Sequence, residues 1–209
     1  IGHPPTVTAQ AWLNQGDERQ GGNAPLPSLL AAVIADLDDF YTITSSDYEW
    51  PEWQEPRVVV HQPDDPRLTT QGQLVVDTGP VPEGCQRPAA WCLLDDAIHL
   101  DGPALKQRHT VGDLATGVTI AEAYGNLAQR RTGHTNDAQL TNCLTGVWLG
   151  SRFPSAQRPP HPLVLSPGDL DEAALTLLLD PTDGVAALRS TLKGFDSGLP
   201  ACRPSTPIP

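Results

Sequence analysis

Apolar residues return every three or four positions after Ser28, at Leu30, Val33, Ile34, Leu37 and Tyr41. That spacing predicts an amphipathic helix from Ser28, its candidate N-cap, to about Phe40. The pattern breaks at YEWPEWQEP, where two prolines forbid a regular helix. Short β-branched runs take over. RVVVH (57–61) and QLVVD (73–77), bounded by Pro, Asp and Gly, predict strands, and DDAIHLD (95–101) predicts a third. The helical period resumes from Asp113 to about Arg130, where Leu114, Val118, Ala121, Gly125 and Ala128 form one apolar stripe with a small middle. A third helix is expected from about Asp137 to Ser151, with Leu140, Cys143, Leu144, Val147 and Trp148 on one face. A fourth begins in SPGDLDEAALTLLL, its first turn loaded with Asp169, Asp171 and Glu172 against the helix dipole. A fifth covers 183–193 and is expected to end at Gly194.

Strands that precede helices predict an α+β fold, a small sheet of short strands followed by a helical half. Residues 1–27, rich in Gly, Pro, Gln and Asn, predict an exposed arm. Residues 28–203 form a single expected domain, and 204–209 a tail, since RPSTPIP cannot continue a helix.

Composition narrows the function classes. Twenty-five acids against thirteen bases give a net charge of −12, which disfavours nucleic acid or an anionic membrane surface as partner, because both require clustered Lys and Arg. No apolar run approaches the ~20 residues that cross a bilayer. The chain contains no methionine, so Ile1 is not expected to be a natural start, and any signal segment or anchor is expected upstream of it. Cys85, Cys92, Cys143 and Cys202 form an even set whose spacing does not supply paired C-x2-C metal ligands, which favours disulfides with three possible pairings. The serine-hydrolase elbow, the phosphate-binding loop and the dinucleotide fingerprint are all missing from the sequence. HQPDDP (61–66) reads as a turn rather than a cation site.

Five blocks occur in an informative order: GCQRPAAWCLLDDAIHLD, TIAEAYGNLAQ, NCLTGVWLG, SPGDLDEA and GFDSGLPAC. Together, over residues 28–203, they resemble the bacterial neutral zinc metallopeptidases, a zincin-like family. In that family H-E-x-x-H on a helix puts two His on one face to hold zinc, and the Glu polarises the bound water. The resemblance implies a zincin-like fold with the metal site vacated. The two His positions fall at Ala121 and Gly125, the downstream carboxylate ligand falls at Ala138, and the acid beside the family's Cys is Asn142. Only Glu122 remains, a relic without a metal-bound water to activate. His109, His134 and Asp137 lie near the helix ends without ligand spacing and read as solvated surface residues.

The expectation is therefore a catalytically inactive, cofactor-free pseudo-protease. It would act outside the cytoplasm as a binding, scaffold or accessory domain of the cell envelope, tethered by an upstream segment. Its partner would be another envelope or membrane protein, or a ligand in the old cleft. That cleft would comprise Ala121, Glu122, Tyr124 and Gly125, roofed by Trp50 and Trp53 with Tyr48 nearby. The small stripe means either close packing of another helix or an open groove. A hydrolase with a relocated metal site or metal-free chemistry is the alternative. The expected pairings are Cys85–Cys92, closing a short loop that contains Pro88, and Cys143–Cys202, stapling the third helix to the C-terminal tail.

Overall fold

A computed structural model of the chain describes residues 22, 24–62, 74–134, 137–152, 167–179 and 183–202. The arm before Gly22, most of HQPDDP and the tail 204–209 lie outside the described residues. In chain order the elements are α1 (Leu26–Asp47), β1 (Arg57–His61), β2 (Leu74–Asp77), β3 (Ala89–Cys92), β4 (Ala97–Asp101), α2 (Gly102–His109), α3 (Asp113–Arg131), α4 (Ala138–Arg152), α5 (Pro167–Leu178) and α6 (Gly184–Ser197). A 3-10 turn at Leu199–Ala201 follows.

The sheet order is β2-β1-β4-β3, with β1 parallel to β2 and to β4, and β3 antiparallel to β4. Alternation sorts its side chains by face. Val58, Val60, Ile98 and Leu100 face the helices and are fully buried there. The other face carries Val59, His61, Ala97 and His99, and a small second cluster of Val81, Cys85, Ala90 and Cys92 covers part of it. The segment between β2 and β3 thus lies over the sheet, pinned by the Cys85–Cys92 disulfide.

Helix α3 runs through the middle of the molecule. It is buried almost all round, not along one stripe, because the sheet, α1, α4 and α5 all pack against it. Its N-terminus is closed from α5, where Glu172 Oε2 accepts the Leu114 backbone N–H at 2.9 Å. A Cβ on Gly112 would meet that carboxylate, so a larger residue there would have to displace the Glu172 cap.

Several expectations need correction. Helix α1 runs on to Asp47 instead of ending at about Phe40. The expected arm does not reach residue 27, since Ala24 is buried with its N–H on the Asp113 carboxylate and the helix begins at Leu26. Gly194 does not end the last helix, which continues to Ser197, because this glycine is a contact point and not a stop. A Cβ there would overlap the carbonyl oxygen of Cys143 and lie 2.9 Å from its carbon; a Cβ on Gly146 would likewise overlap the Thr191 carbonyl. The backbones of α4 and α6 therefore touch directly, beside the Cys143–Cys202 disulfide with its Cα atoms 5.5 Å apart. Ser28 is not the N-cap of α1 either. The helix starts at Leu26 after Pro25, whose carbonyl accepts from the Ser28 and Leu29 amides, and Pro27 sits in the first turn.

Candidate functional site

Ala121 and Gly125 lie one turn apart on α3, both buried. A Cβ added to Gly125 would meet Thr141 Cγ2 and the Thr141 carbonyl oxygen, each at 3.3 Å, so α4 rests directly on this glycine. Polar bonds flank the contact. The Thr141 hydroxyl donates to Asn126 Oδ1 at 2.7 Å and accepts from Gln129 Nε2. The Gln129 amide also brackets Asp137, donating to its carbonyl at 3.0 Å and accepting from its N–H at 3.1 Å. Asp137 then caps α4, its Oδ1 accepting from the Gln139 and Leu140 amides. Ala138 is exposed at the start of α4, and Thr141, three residues on, is what reaches α3. Glu122 is half-buried on the same helix.

The two tryptophans expected to roof this region do different jobs. Trp53 stacks on Tyr41 at 4.6 Å between ring centroids, and beyond it on Tyr124 at 6.1 Å. Its Nε1 donates to Asp38 Oδ1 at 3.0 Å, and the Tyr124 hydroxyl donates to Asp38 Oδ2 at 3.2 Å. The Arg131 guanidinium lies 4.3 Å over the Trp53 ring. Burial pushes the Asp38 carboxyl up to about 6 against the pull of those hydrogen bonds. Trp53 is a seal.

Trp50, by contrast, lines a cavity of about 250 Å³ together with Tyr48, Thr132, His134, Leu140 and Leu144. Its remaining wall comes from Gln129 and from Leu199, Pro200 and Cys202 at the C-terminal turn. None of Ala121, Glu122, Tyr124 or Gly125 lines it. Among the expected cleft residues, only Trp50 and the neighbouring Tyr48 reach this space.

His134 and His109 are not brought together. They flank a 19-residue helix, which at 1.5 Å per residue separates its ends by almost 30 Å. His109 Nε2 lies 2.9 Å from Asp113 Oδ1 and 3.0 Å from the Ala24 carbonyl, and the Asp113 hydrogen bond raises its proton affinity. Glu172 stands beside this pair, pushed up to about 7 by burial, with the charges of Asp169 and Asp113 adding to the shift. This group closes the N-terminal end of α3, so His109 is not the solvated surface residue the sequence suggested: it stands four residues before Asp113 and is paired with it.

Sequence reasoning overlooked several buried polar groups. Asp36 accepts from Trp148 Nε1 at 2.8 Å and pairs with Arg152 Nε at 2.9 Å, joining α1 to α4 inside the core. Burial pushes this carboxyl up to about 6 despite the guanidinium. The only legible signal was Asp36 beside Leu37 on the apolar side of its helix. His61 and His99 form a stacked, hydrogen-bonded pair on the outer sheet face, with ring centroids 5.0 Å apart. Cys92, Asp95 and His99 bring donor atoms within 4.8 Å of one another, but the Cys92 sulfur is bonded to Cys85 and has no thiolate to offer a metal.

Mixed helix and sheet with two disulfides fits an oxidising setting, and no described helix is long and apolar enough to cross a membrane. Compared with known proteins, the chain matches no protein-family model, no curated protein and no solved structure.

Proposed function

We propose that this chain is a non-catalytic, zincin-like binding domain that works outside the cytoplasm, in the cell envelope, as a scaffold or accessory protein. The observation that carries the reading is the contact of Thr141 with Gly125. A metal-dependent hydrolase of this kind would need donor side chains to converge where α4 rests on α3. A methyl at Ala121 and a hydrogen at Gly125 supply no lone pair, and neighbouring atoms fill the space. Glu122 then has no metal-bound water to polarise.

Binding falls to the cavity beside Trp50. Its aromatic rim of Tyr48 and Trp50, apolar floor of Leu140 and Leu144, and polar tips at Thr132 and His134 suit an amphipathic segment of another envelope protein or a small ligand. The purified protein is expected to hold no stoichiometric zinc and to cleave no peptide. About one tightly held Zn²⁺ per chain, lost with Glu122→Ala, refutes the reading. For the binding half, the partner that co-purifies with the full-length protein from its host is itself purified and titrated back. Trp50→Ala should weaken that binding by at least about tenfold; because Trp50 also packs against the core, the affinity is measured at a temperature where the variant is fully folded. Unchanged affinity removes the cavity from the function.

A further inference from the structure

The outer sheet face holds a row of four ring nitrogens with an acceptor at each end. His99 stands opposite Val59 in the β1–β4 pairing, and His61 lies one pleat further along the same face. Both side chains are almost completely buried, His61 at 2% exposure and His99 at 4%. His61 Nδ1 lies 3.2 Å from the Gly79 carbonyl oxygen. His61 Nε2 lies 2.7 Å from His99 Nδ1, and His99 Nε2 lies 3.1 Å from Asp95 Oδ1. Burial raises Asp95, but the hydrogen bond and charge of His99, with the Arg57 guanidinium, outweigh it and keep this carboxyl below its ordinary range.

Counting hydrogens decides the state of the row. A carbonyl and a carboxylate are pure acceptors, so the three contacts require three N–H hydrogens. Two neutral imidazoles own two. A fourth hydrogen does not fit either, since Nε2 of His61 and Nδ1 of His99 would then point N–H at N–H across 2.7 Å. We propose that the folded chain holds His61 and His99 as a singly charged imidazole–imidazolium pair, and that this shared proton clamps the segment between β2 and β3 onto the sheet.

The surroundings can carry one positive charge. Asp95 balances it from the β3–β4 turn, itself paired with Arg57 of β1. Asp77 of β2 places Oδ2 4.0 Å from His61 Nδ1. Asp101 of β4 is aligned with His61 but spends its carboxylate on the Ala104 N–H. On the clamped segment Glu83 and Arg87 are exposed, and the helices lie on the opposite face of the sheet. Between the end of β2 and Cys85 the segment is held by the Gly79 N–H donating to Asp77 Oδ1 at 2.8 Å, by the Gly79 carbonyl contact with His61, and by Val81. Loss of the proton leaves one contact without a hydrogen, and gain of another sets two cations in contact. Either change weakens the row that ends on the Gly79 carbonyl.

The test uses the intact protein with ¹⁵N-labelled histidine, followed from about pH 4 to about pH 9, the range that spans imidazole titration. Near neutrality three of this pair's four ring nitrogens should carry hydrogen. Amide-exchange protection at Gly79 and Val81, corrected for intrinsic rates, should peak in the same range and fall by up to about tenfold per pH unit beyond each edge. Asp95→Asn sharpens the test, because the amide NH₂ can donate to His99 Nε2 and complete the row with neutral rings. In that variant the alkaline loss of protection should disappear. Two neutral rings while the segment is protected, or an unchanged alkaline loss in Asp95→Asn, overturns the proposal. So do ring signals that shift on chelator treatment, since a metal ion would then occupy the proton's place.

Discussion

Replacing Gly194 with Ala tests the backbone contact between α4 and α6. A methyl there overlaps the Cys143 carbonyl oxygen and lies 2.9 Å from its carbon and 3.0 Å from the Val147 nitrogen. Relief requires the two helix backbones to part by roughly 1 Å, and such a gap forfeits about a quarter to a half of each dispersion well along the interface. Over the contacts of one or two Leu-sized side chains the loss is about 3 kcal/mol. The higher helix propensity of Ala returns about 1 kcal/mol, leaving a net loss of about 2 kcal/mol. Retreat of α4 is resisted because Cys143 is itself bonded to Cys202. Gly125→Ala is the internal control: its methyl meets Thr141 at 3.3 Å, which a few tenths of an ångström relieve, and the same propensity gain leaves it within about 1 kcal/mol of the parent. At about 2–4 °C per kcal/mol for a chain of this size, Gly194→Ala should melt about 4–8 °C lower, with Gly125→Ala nearly unmoved. Equal melting temperatures for the two variants, or a Gly194→Ala protein as stable as the parent, would refute the direct backbone contact.

Gly125→Leu adds three more carbons against Thr141 and should cost about 1–3 kcal/mol by overpacking, read by thermal or urea unfolding; a normal melt with lost partner binding would mean that α3 borders an open groove. Replacing both Cys143 and Cys202 with Ala should cost about 4 kcal/mol in the chain-entropy account of a bridge spanning 59 positions, and peptide mapping without reductant should recover only the Cys85–Cys92 and Cys143–Cys202 pairs. Glu172 titrates higher folded than unfolded, so the stability it contributes is complete below its unfolded value near 4.5 and drains away as pH rises toward about 7. Glu172→Gln should flatten the melting temperature across that window, and a parent-like slope in the variant would assign the pH dependence to other groups.

Much of the helical half was legible because its helical period is uninterrupted, even in α3, whose burial extends all round and not only along the stripe. Asp113–Arg131 and Ala138–Arg152 fall within a residue of the expected bounds, and RVVVH is β1 as written. Propensity misled where a residue had two physical uses. Gly194 breaks isolated helices but also permits backbones to touch, and the second use is decided by a partner helix far away in sequence. Strand β3, AAWC, has no β-branched residue, and its membership comes from antiparallel pairing with β4. Helix α2 buries only Leu105 and depends on the Asp101 cap, so no apolar period announces it. The candidate site was legible only in outline. Sequence alone identified small residues at 121 and 125, but not that Thr141 lies against one of them. Nor did it disclose that Trp53 seals the core while Trp50 faces the cavity. Burial of His61 and His99 depends on a cover built from the loop before β3, and a strand's own alternation does not reveal what lies over its outer face.

The Cys143–Cys202 bridge also determines which preparations of this protein are worth assaying. Leu199, Pro200 and Cys202 form one wall of the cavity beside Trp50, and the disulfide cross-links the end of that wall to α4. Material made in a reducing cytosol would retain α3, α4 and α6, give a normal far-ultraviolet spectrum, and yet leave the wall at Pro200 and Cys202 without its cross-link to α4. A negative binding result from such material would report the redox history of the sample. Thiol titration therefore belongs before any ligand screen, because the oxidation state of Cys143 and Cys202 decides whether this wall is cross-linked.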